Sequence, residues 1–287
     1  MKILGEGKSN GGISILHAAG LGRGCSVGID LPCEVTLVDE AASLPHDQNG
    51  LLDAVIESWN EAGLPCPSNA GWKVESQVPV GQGLKSSAAV ACAAIRALDE
   101  ASWTSLSDYD IVEIAVSAQR KAGCTITGSM DDAWAAISSG WKLVDPTQPA
   151  RDSILLHGDM EKGLEILIAL RGSRQATVTP SEFKDQRKLF ERALASVSSG
   201  SMLGAMSANG MAVAAAIGDD EALRICNSAI ARGAISAGIS GSGPAVAVVC
   251  YEGSDEVLET LQESCAEVMR TSFIPPEQAD EEVSRWG

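Results

Sequence analysis

The sequence predicts a two-domain α+β protein, and three observations carry that reading. Segments with strand period and segments with helical period are mixed along the chain rather than strictly alternating. A proline-bearing break, Asp145-Pro-Thr-Gln-Pro149, falls near the middle of the 287 residues. A strand-like stretch, a glycine-rich turn and an alanine-rich helix follow one another directly between Trp72 and Ala101. The domains expected are residues 1–148 and 149–287.

Taken in order, residues Gly12 to Leu37 alternate between apolar and small side chains. Gly20-Leu-Gly-Arg-Gly24 interrupts them, which predicts two strands joined by a glycine turn. Leu52, Val55, Ile56 and Trp59 make a helical stripe over Leu51 to Ala62, ended by Gly63, Pro65 and Pro67. Trp72 to Val78 alternates as a half-buried strand, and Ala88 to Ala101 has strong helix propensity. Ser107-Asp108 caps a helix over Ile111 to Ala122. A helix from Ala133 to Ile137 and a strand from Trp141 to Val144 complete the first half. In the second half, Gly163 to Leu170 and Ala245 to Cys250 read as strands. Ser181 to Ser196, Gly204 to Ile217 and Glu221 to Arg232 read as helices, the last capped by Asp219-Asp220. Ser254 to Met269 reads as one amphipathic helix, and Pro275 to Gly287 as a loose acidic tail.

Composition bounds the partners. Hydrophobic residues make up 45% of the chain, enough for a sizeable core. The formal net charge of −17 repels nucleic acid and anionic membrane and excludes both as expected partners. The same charge means that a polyanionic substrate would need a local positive site or a metal ion. None of the eight cysteines forms a C-x-x-C pair, so a zinc site has no support. The polar first ten residues carry no secretory signal, and no apolar run is long enough to span a bilayer. A reducing, cytoplasmic setting is the expectation.

Pro79-Val80-Gly81-Gln82-Gly83-Leu84-Lys85-Ser86-Ser87-Ala88-Ala89 is the most informative segment. Gly81 and Gly83 can take positive φ and let backbone approach a ligand closely. Ser86 and Ser87 stand where helix N-caps belong, beside unsatisfied N–H groups and the positive end of the helix dipole. That combination favours a phosphate, although a plain capped helix after a tight turn has the same ingredients. A P-loop would need glycine where Leu84 stands, and a dinucleotide fingerprint would need glycine where Ser86 stands. Downstream, Thr127-Gly-Ser-Met-Asp131-Asp132-Ala133 places two carboxylates at a helix start. They either cap that helix or turn one carboxylate into a cleft. Ser240-Gly241-Ser242-Gly243-Pro244 is at the least a turn into the following strand.

These three segments, in this order, resemble the three signatures of the GHMP kinases, the family of galactokinase, homoserine kinase and mevalonate kinase. The resemblance implies a two-domain fold, with an N-terminal domain like ribosomal protein S5 domain 2 and a ferredoxin-like C-terminal α/β sandwich. It implies ATP and Mg²⁺, with phosphates held along Pro79 to Ala89, metal at Ser87, and Gly241, Ser242 and Gly243 closing the nucleotide site. It assigns Asp131 to the acceptor hydroxyl, leaving Asp132 facing away or assisting with metal or substrate. The opening Gly12-Ile-Ser-Ile-Leu-His17, the Gly-Leu-Lys-Ser-Ser of the loop and Thr-Gly-x-x-Asp-Asp-Ala resemble the archaeal-type shikimate kinases. His17 stands where asparagine is expected in that subfamily. Gly12 falls where mevalonate kinases carry a lysine, and Gln119 or Arg120 falls near their metal-binding glutamate.

The implied activity is phosphorylation of the 3-hydroxyl of shikimate, with a basic partner for its carboxylate among Arg23, Lys121, Arg171 and Arg174. Alternatives are another acceptor such as homoserine or mevalonate, a decarboxylase of the same fold, or a non-catalytic binding regulator. Monomer and homodimer are both open.

Overall fold

The computed structural model describes residues 2–40, 47, 49–68, 70–172 and 179–276. The chain opens with β1 (Ile3–Leu16), a one-turn helix α1 (Ala18–Leu21) and β2 (Gly24–Val38). β1 and β2 pair antiparallel along their length. The expected glycine turn is thus helical, capped by His17 Nδ1, which accepts from the Ala19 N–H, and ended by Gly22 at φ 70°. β1 also begins nine residues before Gly12. Its inward positions there are Gly5, Gly7 and Ser9, and its outward ones are Glu6 and Lys8. Small inward residues carry no hydrophobic signal, yet they are what lets a helix lie directly on the strand.

α2 (Leu51–Glu61) buries Leu52, Val55 and Trp59 as the stripe predicts. β3 (Gly71–Ser76) pairs with β2 and is followed by the glycine-rich loop and α3 (Ser86–Ser102). The N-cap of α3 is Lys85, at φ 67°, with no side-chain cap bond. Ser86 and Ser87 are therefore first-turn residues and not the caps the sequence suggests. α3 is nearly all alanine on its buried face and packs on β1. A Cβ at Gly7 would lie 1.9 Å from the Ala93 carbonyl oxygen, and one at Gly5 would lie 2.3 Å from that of Ala97.

α4 (Asp108–Lys121) starts with a full capping box between Ser107 and Asp110. α5 (Asp131–Ile137) begins at Asp131, two residues earlier than expected, with Met130 as N-cap and no side-chain cap bond. The capping role for the two aspartates is thereby removed. β4 (Trp141–Val144) pairs with β2 on one side and β5 (Ile154–Gly158) on the other. The first sheet thus has five strands, and Asp145–Pro149 is a connection inside it. The chain passes to the second sheet only between Gly158 and Leu164, beyond the expected break at 148.

The second half contains β6 (Leu164–Leu170), α6 (Pro180–Asp185), α7 (Arg187–Ser198), α8 (Met202–Ile217), α9 (Asp220–Ala231), β7 (Ser236–Ile239), β8 (Val246–Tyr251), α10 (Asp255–Ser264) and β9 (Glu267–Thr271). Its sheet has the order β7-β8-β6-β9, all antiparallel. The helix expected over 181–196 is two helices, broken at Gln186. The helix expected to Met269 stops at Ser264, where Cys265 turns extended. Residues 267–271 instead complete the sheet against β6. Asp219 caps α9 through the Ala222 N–H. The expected tail lies mostly outside the described residues. After β9 the chain returns to the first sheet, where Asp30 N donates to Ser272 O (2.9 Å) and Ile274 N to Gly28 O (3.3 Å). No helix among the described residues is long and apolar enough to cross a membrane.

The backbone-on-backbone seat of β1 against α3 sets a test. Gly7→Ala should lower unfolding free energy by about 1–3 kcal/mol, the usual cost of overpacking a tight core. Denaturant titration reads it, and an unchanged midpoint would show that α3 can slide off the strand.

Candidate active site

The fold brings the three segments singled out above to one cleft of about 600 Å³ between the halves. Its floor is the start of α3. Gly81 (φ 72°), Gly83 (φ 78°) and Lys85 (φ 67°) all take left-handed backbone, which curls the loop over the helix end. Because Lys85 gives α3 no side-chain cap, the first-turn N–H groups of a 17-residue helix face the cleft uncapped by the protein. Val80 stands out into solvent at the rim, 85% exposed.

The loop of the second half lies against this one. Ser240 Oγ donates to Gly83 O (2.8 Å), and Ala245 N donates to Gln82 O (3.2 Å). A Cβ at Gly83 would lie 2.1 Å from Ser240 O, so only glycine permits this approach. Gly241 and Ser242 line the cleft with Val80, Gly81, Gln82, Gly83, Lys85, Ser86 and Ser87. Pro79, Leu84, Ala88, Ala89 and Gly243 do not. Leu84, Ala88 and Ala89 are core residues, at most 1% exposed, and serve the loop by anchoring it.

Opposite the loop stand the two aspartates. Asp131 is 3% exposed and accepts a hydrogen bond from Ser26 Oγ at 2.7 Å. Asp132 pairs with Lys85 Nζ at 2.7 Å, and the same ammonium donates to Ser14 Oγ at 2.7 Å. Burial, with the neighbouring Asp132 charge second, pushes the Asp131 carboxyl up to about 6, while the Lys85 charge opposes the rise. Room for the cluster comes from Gly24 and Gly12. A Cβ on Gly24 would lie 2.1 Å from Asp131 Oδ1, and one on Gly12 would lie 3.3 Å from Lys85 Cγ. The loop before Asp131 is pinned by Arg120, whose Nη2 donates to Gly128 O at 2.6 Å.

Ser87 Oγ donates to Gln119 Oε1 at 3.3 Å. This settles which of Gln119 and Arg120 faces the loop. It also places two neutral oxygen donors side by side, which suits a hard cation that keeps most of its waters. No cluster of three or more His, Cys, Asp or Glu residues that could hold a metal occurs among the described residues. A second, mostly apolar cavity of about 390 Å³ adjoins the cleft, lined by Leu51, Leu52, Val78 and Val90 among others.

The candidate carboxylate partners do not gather here. Arg171 is bound to Asp219, Glu221 and the Pro244 carbonyl, and Lys121 to Glu57 and Glu61. Arg23 is exposed and does not line the cleft. Arg174 lies outside the described residues. Among the residues lining the cleft, Lys85 is the one lysine or arginine. Sequence reasoning assigned it no role beyond the loop, and it missed Ser14 and Ser26, since single serines in a strand carry no signal. His17 lines the cleft as well, stacked on Phe183 (4.6 Å), with its backbone N–H held by Asn209 Oδ1 (2.8 Å).

A glycine-rich loop at an uncapped helix start, facing a buried carboxylate, is an arrangement suited to phosphoryl transfer. Comparison with known proteins agrees. Residues 49–140 match the GHMP kinases N terminal domain. The shikimate kinase of Pyrococcus abyssi is 28% identical over 94% of this chain and 99% of its own. That of Methanothermobacter thermautotrophicus is 28% identical over 92% and 94%. The solved mevalonate kinase of Methanococcus jannaschii superposes with a TM-score of 0.73 at 15% identity, covering 94% of this chain and 98% of its own. A putative homoserine kinase from Listeria monocytogenes superposes with 0.66 at 18%, covering 93% and 96%. Residues 49–140 thus carry a GHMP kinase N-terminal domain, and the chain is a small-molecule kinase.

Two outcomes follow from the geometry. With Asp131 as the proton acceptor, turnover should fall as pH drops through about 6, where its carboxyl loses its charge. Asp132→Asn removes the like charge that raises Asp131, so the acid limb should move to lower pH; a limb that stays put assigns it to another group. Gly24→Ala should displace the Asp131 carboxylate and lower kcat, measured well below the melting temperature so that the cost of overpacking does not enter. Unchanged kcat would mean the carboxylate position is not critical.

Proposed function

We propose that the protein transfers the γ-phosphoryl group of ATP to the 3-hydroxyl of shikimate. The observation that carries this reading is the buried Asp131 carboxylate, held by Ser26 opposite the glycine loop. The acceptor is supported by the full-length similarity to shikimate kinases. It is also supported by their Gly-Leu-Lys-Ser-Ser and Thr-Gly-x-x-Asp-Asp-Ala patterns at Gly83 to Ser87 and Thr127 to Ala133. The solved mevalonate and homoserine kinases share the fold and do not bear on the acceptor.

In this reading the adenine occupies the apolar cavity beside α2. The phosphates run along Gly81 to Ser87, where helix N–H groups and the dipole receive them. Ser87 and Gln119 would hold Mg²⁺, which supplies charge neutralisation on the phosphates. Asp131 accepts the hydroxyl proton as the oxygen attacks phosphorus. The bond from the β–γ bridging oxygen to phosphorus breaks, and its electron pair leaves on ADP. Substrates are ATP and shikimate, with no part for nucleic acid or membrane.

Coupled ADP-release assays with shikimate, homoserine and mevalonate test the acceptor. Shikimate should give the highest kcat/KM by a wide margin. Turnover with another alcohol and none with shikimate would sink the assignment, and no turnover with any would favour a binding protein. Asp131→Asn should cost about 10²–10⁴-fold in kcat, the worth of a positioned general base, with ATP affinity kept.

A further inference from the structure

The cleft must receive a polyphosphate, yet two aspartates line it and the whole chain carries −17. Lys85 is the single lysine or arginine among its lining residues. The side chain is 7% exposed, so its charge is fixed in place and not a solvated surface ammonium. It comes from the loop itself, held at φ 67° at the N-cap of α3, where a small polar residue would normally cap the helix. Its position between the helix end and α5 is set by two bonds, to Ser14 Oγ and to Asp132 Oδ1, each 2.7 Å. An ammonium has three donors, so these two partners leave one N–H for a third.

We propose that Lys85 is a catalytic residue, its remaining N–H donating to a non-bridging oxygen of the γ-phosphoryl group during transfer. Ser14 and Asp132 are the positioning residues that aim it. The acceptor proton goes to Asp131, and the electron pair of the broken bond goes to ADP. Glycine at position 12 leaves the space that the Lys85 stem occupies, since a Cβ there would lie 3.3 Å from Lys85 Cγ. The cation of this site thus rises from the phosphate loop.

The inference rests on the kinase reading, and the experiment separates the two. The parent protein is first assayed with Mg²⁺-ATP on shikimate, homoserine and mevalonate; no turnover on any sinks the kinase reading itself. With an active parent, kcat is measured for Lys85→Met using ATP and ATPγS. A lost donor to the transferring group should lower kcat with ATP by about 10²–10³-fold. Because the contact is to a γ-phosphoryl oxygen, the ATP to ATPγS rate ratio should shrink by about tenfold or more, the worth of one lost charge-assisted hydrogen bond. A lysine that only holds the fold or Asp132 would leave that ratio unchanged, and an unchanged ratio overturns the proposal. So does kcat within about threefold of the parent, too little for such a donor. Where Lys85→Met does not fold by circular dichroism, Lys85→Arg decides by the same ratio. It keeps the charge but moves the donor, so parent-like kcat and ratio overturn the proposal, and a fall in both supports it.

Discussion

A buried ammonium between a serine and a carboxylate is the constraint on which the cleft depends. A charge as enclosed as that of Lys85 is stable only when paired and hydrogen-bonded. Its partners must therefore arrive from separate elements: Ser14 from β1 and Asp132 from α5. Asp131, next in the chain, is then forced toward β2, where Ser26 meets it and Gly24 leaves room. The positive φ of Lys85 is a strained state for a side-chain-bearing residue, tolerable because both flanks are tied down. Gly12 N donates to Leu84 O (3.1 Å), and Ala89 N to Lys85 O (2.9 Å). One ammonium thus ties β1, the glycine loop and the start of α5 together, beside the Asp131 carboxylate.

The second half of the molecule serves the same loop from the other side. Gly83 and Gly241 meet backbone to backbone, with the Ser240 hydroxyl on the Gly83 carbonyl. That second loop is steadied by Arg171, which reaches from the end of β6 to the Pro244 carbonyl and to Asp219 at the cap of α9. The Arg171 side chain is 9% exposed and bound to carboxylates through both terminal nitrogens, so it acts as a brace between strand, loop and helix. The C-terminal segment ties the two sheets again at Asp30 and Gly28. Motion between the halves would therefore have to break contacts at both the glycine loops and this return strand.

The turns themselves were legible in the sequence because glycine at positions of positive φ leaves few readings. Gly81, Gly83 and the adjacent aspartates carry their meaning locally. The α2 stripe and the Ser107 cap were equally plain, since apolar period and capping are local signals. What stayed hidden depends on partners far along the chain. The start of β1 is masked because Gly5, Gly7 and Ser9 are small for the sake of α3. β9 is masked because Glu267 and Arg270 make an edge strand look like the polar face of a helix, and its partner β6 lies about a hundred residues earlier. Ser14, Ser26 and Lys85 meet only after three elements pack, so no spacing rule joins them. Arg171 misled for the converse reason. An arginine looks like an anion site until its carboxylates are found.

Charge balance links these observations. Gln119 offers Ser87 a neutral amide oxygen, so this pair adds no negative charge beside the glycine loop. In a cleft that already holds Asp131 and Asp132, a further carboxylate would add repulsion that a chain of net charge −17 is poorly placed to offset. On the kinase reading proposed above, a neutral pair at Ser87 and Gln119 would leave Mg²⁺ more of its charge for the nucleotide. The ammonium of Lys85 and the end of α3 then carry the rest of the positive field. The neutral amide at 119 and the ammonium at 85 act in the same direction: both limit the negative charge of a cleft that holds two aspartates.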